Sequence, residues 1–300
     1  MSSKNVRQLM CAASLATVAG LVSGCDIRLS LNQPPLYKET RSVHVPHVGA
    51  SALHVDSRNG SITAVQSDRD DVQVLAHLTA TSAERLAAAE VAADRDEAGT
   101  LFVAIDWPEG KPLNREGCSF EVAIPDATDV VLRSSNGKIE LAGLKGKADL
   151  TTSNGQIAVQ GHGGPLEAIT SNGPVKASAI EGTINASTCN GRIDLEGATN
   201  SVYATTSNGD ISVSLAPEGA GPVNVRTSNG AVSLILSPVV AGQLILSTSN
   251  GAVQIDPSCE DQIISRRKQS ATLEFDDSEV RSSATTSNGS IQVKRAIPKS

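Results

Sequence analysis

A short motif centred on Ser-Asn-Gly recurs along this chain of 300 residues, and it constrains the fold more than any other feature. The first five copies stand 18 residues apart, the next two follow at spacings of 21, and the last comes 38 residues later. The paired residues are Asn136, Gly137, Asn154, Gly155, Asn172, Gly173, Asn190, Gly191, Asn208, Gly209, Asn229, Gly230, Asn250, Gly251, Asn288 and Gly289. A fixed period of this size is typical of repeat architectures, in which one structural unit stacks on the next.

Apolar residues occupy fixed columns on both sides of each Asn, three and five residues after it and four and six residues before it. The column three residues after it is Ile139, Ile157, Val175, Ile193, Ile211, Val232, Val253 and Ile291. Apolar positions in steps of two predict two short strands per repeat, each with one buried face. Because aromatic residues make up only 2 % of the chain, we expect a thin core of Val, Ile, Leu and Ala between layers of β-structure.

Two all-β folds fit this pattern. In a parallel β-solenoid each repeat is one coil, and equivalent strands stack about 4.8 Å apart. In a meander each Asn-Gly would close a tight hairpin. The period favours the solenoid, because only a stack of coils requires the turn residues, the Gly-rich second corner (Gly143, Gly146, Gly161) and the length to repeat together. We therefore predict a parallel β-solenoid of 18–21-residue coils over residues 126–295.

The polar residues of the motif form columns as well. By the alternation, the Asn column and a Thr column face inward at the corner, where identical stacked side chains can hydrogen-bond along the axis. The Thr column is Thr152, Thr170, Thr188, Thr206, Thr227, Thr248 and Thr286. The glycine of each pair is expected to supply a positive φ. The Ser column faces outward, and Cys189 replaces Ser in it.

The first 25 residues are typical of a cleaved bacterial lipoprotein signal. Lys4 and Arg7 precede a short apolar run that ends in "LVSGC", which resembles the site where such signals are cut and the cysteine is lipidated. We expect Cys25 to carry the lipid and to anchor the chain to a membrane without crossing it. The alternative is an ordinary secretory signal with a chance cysteine. Residues 26–40 are predicted to be a tether.

Residues 41–125 are predicted to be a strand-rich region that precedes the repeats. Three strands are expected between residues 42 and 65, with "SRNG" at Asn59 as a diverged copy of the motif. One helix is predicted over residues 81–94, because Thr81 and Glu84 match a capping box and Ala and Leu follow. After the repeats, residues 257–281 are expected to form one degenerate coil that caps the array, and residues 296–300 a tail.

Charge and cysteine content limit the function classes. The net charge of −7 argues against nucleic acid as a partner, because phosphate binding needs a basic surface. Three cysteines remain after the signal and Cys25, namely Cys118, Cys189 and Cys259. Their positions in the stack place them on the order of 15 Å or more apart, so we expect three free thiols and no bridge.

Nothing in the pattern predicts a catalytic or metal site. A nucleophilic serine needs a histidine base oriented by an acid, but only His162 of the five histidines falls within the repeats. A polysaccharide-cleaving enzyme needs paired carboxylates and usually an aromatic platform; Asp149 and Glu167 could lie side by side, and Tyr203 is an aromatic residue of the regular array. Metal binding by the N-terminal histidines is not expected, because His44 and His47 point to opposite faces of a strand.

The order of elements resembles a known family. A strand–"NG"–strand unit, a helical insertion, a strand ending in "IP" and a "TSNG-x-[IV]-x-V" array are similar to the bacterial β-strand-repeat adhesin family, which is related to the head-domain group called GIN. The resemblance covers about residues 42–295. It implies a right-handed β-solenoid in the cell envelope, with adhesion as the conjectured role, and it implies no agreed functional residues.

Together these features predict a non-catalytic, lipid-anchored protein of the bacterial cell envelope that uses no cofactor and no metal. The expected partners are the membrane, through the lipid anchor, and an envelope protein or polysaccharide. The anchor could lie in the inner or the outer membrane and face the periplasm or the cell surface. A sensory or stress-linked component that binds a partner protein fits the same features. The alternative is a carbohydrate-active β-helix enzyme, either a polysaccharide hydrolase or a lyase.

Overall fold

The structure is a computed structural model that describes residues 36–296. The predicted signal peptide, Cys25 and most of the predicted tether lie outside these residues. The tether was predicted to extend to residue 40, but the first strand already begins at Tyr37. The last residues of that segment pair with a neighbouring strand in the sheet instead of forming a linker.

Two long sheets contain the strands, which are numbered here in chain order. The first sheet consists of β1 (Tyr37–Pro46), β3 (Ile62–Gln66), β4 (Asp71–Ala80), β7 (Gly117–Ile124), β9 (Ile139–Ala142), β11 (Ile157–His162), β13 (Val175–Ile180), β15 (Ile193–Ala198), β17 (Ile211–Leu215), β19 (Val232–Leu236), β21 (Val253–Ile255) and β25 (Ile291–Arg295). The second consists of β2 (Leu53–Asn59), β5 (Glu90–Arg95), β6 (Leu101–Asp106), β8 (Asp129–Asn136), β10 (Lys147–Asn154), β12 (Leu166–Asn172), β14 (Ile184–Asn190), β16 (Val202–Asn208), β18 (Val223–Asn229), β20 (Gln243–Asn250), β22 (Ile263–Arg266), β23 (Ser270–Glu274) and β24 (Arg281–Asn288). The helices are α1 (Ala83–Ala88) and two 3₁₀ turns, Pro108–Gly110 and Pro257–Gln262.

Each repeat contributes one strand to each sheet and turns between them at its Asn-Gly pair. Equivalent strands of successive repeats pair in parallel and in register, so that Asn154 lies between Asn136 and Asn172. A hairpin meander would instead pair consecutive strands antiparallel. The prediction of a parallel β-solenoid with coils of 18–21 residues is confirmed.

The inward columns form one continuous core between the sheets. Side chains such as Ile139, Leu150 and Ile193 are fully buried. The strands alternate buried with exposed or half-buried positions, as β10 does along its length. The core is largely aliphatic, and Phe120 is its largest fully buried side chain. Aliphatic columns of this kind match the low aromatic content of the sequence.

The last coil of the sequence is not the last coil of the stack. Strand β24 pairs in parallel with β18 on one side and with β20 on the other, and β25 lies between β19 and β21. Asn288 therefore lies between Asn229 and Asn250. The spacing of 38 residues reflects a return of the chain into the stack.

The prediction of a capping coil over residues 257–281 is wrong, because this segment forms a hairpin instead of a coil. These residues form the second 3₁₀ turn and a hairpin of β22 and β23, and β23 pairs antiparallel with β20. The hairpin satisfies the outer edge of β20, whose N–H and C=O groups would otherwise lack partners.

A similar change of order occurs at the other end. The coil of β2 and β3 lies between the coil of β6 and β7 and the coil of β8 and β9. Asn59 pairs with Asn136 in register, which confirms it as a diverged copy of the motif. Beyond these coils the pairing becomes antiparallel, with β4 against β7, β1 against β4 and β5 against β6. The N-terminal strands and the repeat strands therefore belong to the same two sheets, and neither sheet is interrupted at the predicted boundary of residue 125.

The predicted helix over residues 81–94 is too long. Helix α1 ends at Ala88, and Glu90–Arg95 is strand β5 instead. Pairing with β6 overrides the helix propensity of the Ala residues, because it gives β5 backbone partners and packs Val91 and Ala93 against the core. The predicted capping box is also wrong, since Ser82 caps the helix by accepting a hydrogen bond from the N–H of Arg85.

A buried carboxylate fixes this helix to the loop before β7. Glu116 accepts hydrogen bonds from the guanidinium of Arg85, from the backbone and hydroxyl of Thr81 and from the backbone of Leu113. Burial raises the pKa of the Glu116 carboxyl, but these donors outweigh it and bring the pKa to about 2. Thr81, which was assigned to the capping box, serves this carboxylate instead.

The glycines of the Asn-Gly corners have a different role from the one predicted. None of them has the left-handed backbone that was expected; Gly173, at φ 158°, is close to extended. A Cβ on Gly191 would lie 1.9 Å from the carbonyl oxygen of Gly173, and a Cβ on Gly209 would lie 2.0 Å from that of Gly191. Glycine is therefore required because adjacent coils approach too closely here for any side chain.

We predict that Gly191→Ala destabilises the protein by about 2–3 kcal/mol or more, because the new Cβ collides with backbone that cannot move without parting two coils. The measurement is chemical denaturation followed by circular dichroism. Gly49→Ala is the matched control, since a Cβ there would meet nothing within 4 Å, and a change below about 0.5 kcal/mol is expected. Equal stability of the two variants would contradict the close-approach explanation.

Candidate functional site

The side chains of the repeat Asn residues form a ladder along the stack. Each donates its amide N–H to the amide oxygen of the Asn in the neighbouring coil, over distances of 2.8–2.9 Å. The ladder runs from Asn59 through Asn136 to Asn229, then to Asn288 and finally Asn250. The predicted ladder is confirmed, but the repeat Asn side chains are exposed at the rim of the corner instead of inward.

The Thr column is buried, as predicted, but its hydroxyls do not bond to one another. Each hydroxyl donates to the carbonyl oxygen of a corner glycine in the adjacent coil, as Thr188 does to Gly173 at 3.1 Å and Thr206 to Gly191 at 3.0 Å. The predicted Thr-to-Thr ladder is therefore wrong. The Gly carbonyl, which lies close to the next corner glycine, receives in this way the hydrogen bond that it needs.

The Ser column faces solvent, and the exposed Cys189 takes its place in one coil. Cys118 and Cys259 are buried in the core and, like Cys189, are free thiols, as predicted. Burial raises the pKa of the Cys118 thiol to about 12, so this cysteine is a core side chain and not a nucleophile.

A serine, a histidine and a carboxylate do meet outside the repeats, which the sequence did not predict. Nδ1 of His44 lies 2.7 Å from Asp71 and its Nε2 lies 3.3 Å from the hydroxyl of Ser42. Asp71 also pairs with Arg69 at 2.7 Å, and hydrogen bonds from Arg69 and then His44 lower its pKa to about 2. The group lies on the outer face of β1 and β4 with His44 about half exposed, so we interpret it as a link between these strands. Only the pairing of β1 with β4 brings it together.

His162, the one histidine of the array, is fully buried. Burial lowers its pKa, against backbone contacts from Gly146 and Leu144 that raise it. It therefore cannot serve as a base for the exposed serines of the motif. Across residues 36–296, no group of three His, Cys, Asp or Glu side chains is placed to hold a metal ion. No helix in that range has the length and apolar character needed to cross a bilayer.

The outer face of the first sheet carries a shallow depression of about 610 Å³. Carboxylates from β9 and β15, namely Glu140, Asp194 and Glu196, lie along it together with Lys176, and none of its lining residues is aromatic. Asp194 is held by Arg192 at 2.6 Å, and Glu140 pairs with Lys138. Glu140 and Asp194 stand three strands apart, about 14 Å, which is wider than the paired carboxylates of a glycosidase.

The outer face of the second sheet brings Asp149 and Glu167 side by side in register, as the sequence suggested. Asn185 and Tyr203 follow on the next two strands in the same column. The side chain of Tyr203 is 45 % exposed. Neither carboxylate lines the depression on the first sheet or two smaller ones near the N-terminal coils. These side chains lie on an open face.

We predict that Asn190→Ala lowers the free energy of unfolding by about 1–2 kcal/mol, because Asn190 donates to Asn172 and accepts from Asn208. Asn250→Ala should cost about half as much, since the ladder ends there after one bond to Asn288. Chemical denaturation measures both. Ser207→Ala, at an exposed position beside the ladder, is the control; a loss in it equal to that in Asn190→Ala would contradict this role.

Solved structures with low sequence identity align with this chain. A "putative adhesin" from Bacteroides fragilis is 17 % identical and has a TM-score of 0.49, with 87 % of this chain and 99 % of that one covered. A "putative lipid binding protein" from Parabacteroides distasonis is 13 % identical, with a TM-score of 0.40 and coverage of 86 % and 96 %. A "putative cell adhesion protein" from Clostridium sporogenes is 12 % identical, with a TM-score of 0.29 and coverage of 87 % and 100 %. None of the curated proteins matches the chain.

The family comparison covers most of the described fold. A match to the family described as Toastrack DUF4097 extends over residues 50–294. This range begins just before β2 and ends in β25, so it contains every Asn-Gly coil and the hairpin at the end of the stack. The chain belongs to the Toastrack DUF4097 family.

Proposed function

We propose that this chain is a non-catalytic, lipid-anchored protein of the bacterial cell envelope. Its solenoid presents two extended faces for adhesion or for interaction with other envelope components. The observation that carries the proposal is that the Asn and Thr side chains of the motif bond to neighbouring coils and so serve the fold. The Asn amides bond to one another and the Thr hydroxyls to the corner carbonyls, as at Asn190 and Thr188. What is left for function is the outward columns of the two sheets.

An extended, rigid array suits recognition more than catalysis. Repeat proteins bind through long surfaces built from equivalent positions of successive units. A polysaccharide-cleaving enzyme remains the second candidate, because Asp149 and Glu167 are neighbours in register. Against it, a glycosidase places its two carboxylates on either side of the scissile bond, whereas these two share one open face. Incubation of the protein with polysaccharides should therefore release no reducing ends.

The anchor is the part of the proposal that rests on sequence alone. The residues "LVSGC" and the basic n-region support lipidation at Cys25. Lipidation would place the solenoid a short distance from a membrane, of which the sequence allows the inner or the outer one. The tether between the anchor and β1 would then be about ten residues long, shorter than the predicted segment 26–40 because β1 begins at Tyr37.

We predict that Cys25→Ala moves the protein from the membrane fraction to the soluble fraction and abolishes labelling by radioactive palmitate, because it removes the acceptor of the lipid. Cell fractionation and autoradiography measure the two effects. Cys11→Ala is the matched control, since Cys11 lies inside the signal and should be dispensable. Membrane association of the unlabelled Cys25→Ala variant would contradict the lipid anchor.

We predict that the purified full-length protein, held in detergent micelles, binds washed bacterial envelope fragments saturably. The measurement is co-sedimentation of the labelled protein over a range of fragment concentrations, with protein-coated latex beads as the control for non-specific retention. An interaction platform should bind the fragments and not the beads. Equal retention on both, or none on either, would contradict the proposed function.

A further inference from the structure

Part of the outer face of the second sheet, beyond β10 with its Lys147 and Asp149, is almost free of charge. It is formed by the outward residues of β12, β14, β16, β18, β24 and β20, and we call it the neutral face. Its charged residues are Glu167, Arg226 and Arg281, and Arg281 is already bonded to Gln243. The other outward positions are Ile169, Ser171, Asn185, Ser187, Cys189, Tyr203, Thr205, Ser207, Asn224, Ser228, Gln243, Ile245, Ser247, Ser249, Ser283, Thr285 and Ser287. In a protein with a net charge of −7, a face of hydroxyls and amides with little charge is unusual.

The opposite face of the same solenoid carries more charge at β13 and β15. Its outward positions include the ion pair of Arg192 with Asp194, together with Lys176 and Glu196. The two faces are made by the same repeat and the same strand spacing, so the architecture does not explain the difference. The charge of the opposite face is concentrated on β13 and β15, since the outward positions of β17, β19 and β21 are Ser, Ile and Gln.

An exposed aromatic ring lies within the neutral face, between two amides. Tyr203 on β16 is 45 % exposed, and in register it stands next to Asn185 on β14 and Asn224 on β18. Glu167 and then Asp149 on β10 continue the column beyond Asn185. Asn224 accepts a hydrogen bond from Ser283 through its carbonyl oxygen, which leaves its N–H₂ free to donate.

Three polar side chains of this column have no partner in the described part of the protein. Glu167, Asn185 and the hydroxyl of Tyr203 make no hydrogen bond or ion pair within residues 36–296. Donors, acceptors and an aromatic face are therefore open to a ligand in one line along the stack. Adjacent members lie one strand apart, at about 4.8 Å, and six strands give the face a length of about 24 Å.

We propose that the neutral face binds an uncharged polysaccharide, with Tyr203 as its central contact; the inference rests on the proposed envelope function and names the partner. A sugar ring has one apolar C–H face, which stacks on an aromatic ring, and hydroxyls at its edge, which bond to amides and carboxylates. Tyr203 provides the first and its neighbours Asn185, Asn224 and Glu167 provide the second. A polymer lying along the stack would meet the same kind of groups at each coil.

The rigidity of the face supports binding to a polymer. Its residues lie on paired strands whose corners are fixed by the Asn ladder and the Thr bonds, so little side-chain and backbone order has to be gained on association. A partner with many charges would leave most of its charged groups unpaired against this face, which costs affinity. A neutral chain of sugars has no such cost.

The test uses the full-length protein in detergent micelles and measures binding to chitin, cellulose and a β-1,3-glucan, with anionic alginate as the charged comparison. We expect binding to at least one neutral polymer, weaker binding to alginate, and a loss of about tenfold or more in affinity for Tyr203→Ala. Asn185→Ala should weaken binding less. Ile235→Ala is the matched control, because Ile235 is a half-buried apolar residue that faces outward on the opposite sheet and its loss should not change affinity.

The possible negative results bear on different parts of the proposal. Unchanged affinity of Tyr203→Ala, or equal loss in Ile235→Ala, would overturn the neutral face as the binding site. Retention on envelope fragments without binding to any neutral polymer would overturn the partner class while the proposed function stands. A dimer in analytical ultracentrifugation that dissociates in Tyr203→Ala would show that a second copy covers the face, and would also overturn the proposal. Circular dichroism of each variant confirms that it is folded.

Discussion

The stack depends on the close contact between corner glycines of neighbouring coils. At each corner the carbonyl oxygen of one glycine lies so near the next glycine that no Cβ fits between them, as between Gly173 and Gly191. That oxygen lies against the next coil and needs a hydrogen-bond donor there. Thr188, two residues before its own Asn, supplies the bond. The close approach of the coils requires Gly, and the carbonyl oxygen of that Gly requires a donor such as Thr, so the two residues recur together in the motif. The Asn ladder links the coils at the rim beside them.

This corner frees the outward columns for variation. The core columns must remain apolar, and each corner must keep a hydroxyl residue (Ser134 in the first copy, Thr in the others), Asn and Gly. Nothing inside the coil restricts a position such as Asp194 or Tyr203. The outward columns have accordingly diverged along the stack, towards ion pairs at β15 and towards hydroxyls and amides at β14 and β16. A repeat of this kind separates the residues that make the fold from those that can be used for recognition.

Local sequence signals were sufficient to predict the strands and their buried faces. They failed where pairing with a distant segment decides the conformation. The alternation of apolar residues located the strands and their buried faces, and the repeated Asn gave the ladder. The Ala-rich segment after Thr81 carries a helix signal, yet Glu90–Arg95 is a strand because β6 offers it backbone partners. The role of the corner glycine could not be read from one coil, since its neighbour across the contact is 18 residues away. Ser42, His44 and Asp71 meet only because β1 pairs with β4.

The sequence by itself determined the period, the two strands of each coil, the residues that face the core and the Asn ladder, because all of these follow from side-chain alternation and an exact repeat. Only the tertiary structure decided the order of the coils at the two ends. Any coil of the same length offers the same strand edges, so the pattern cannot tell that Asn288 lies between Asn229 and Asn250. It likewise could not tell that β2 and β3 are flanked by the later coil of β6 and β7. Which edge a strand occupies is settled by the competition among equivalent edges in the folded chain.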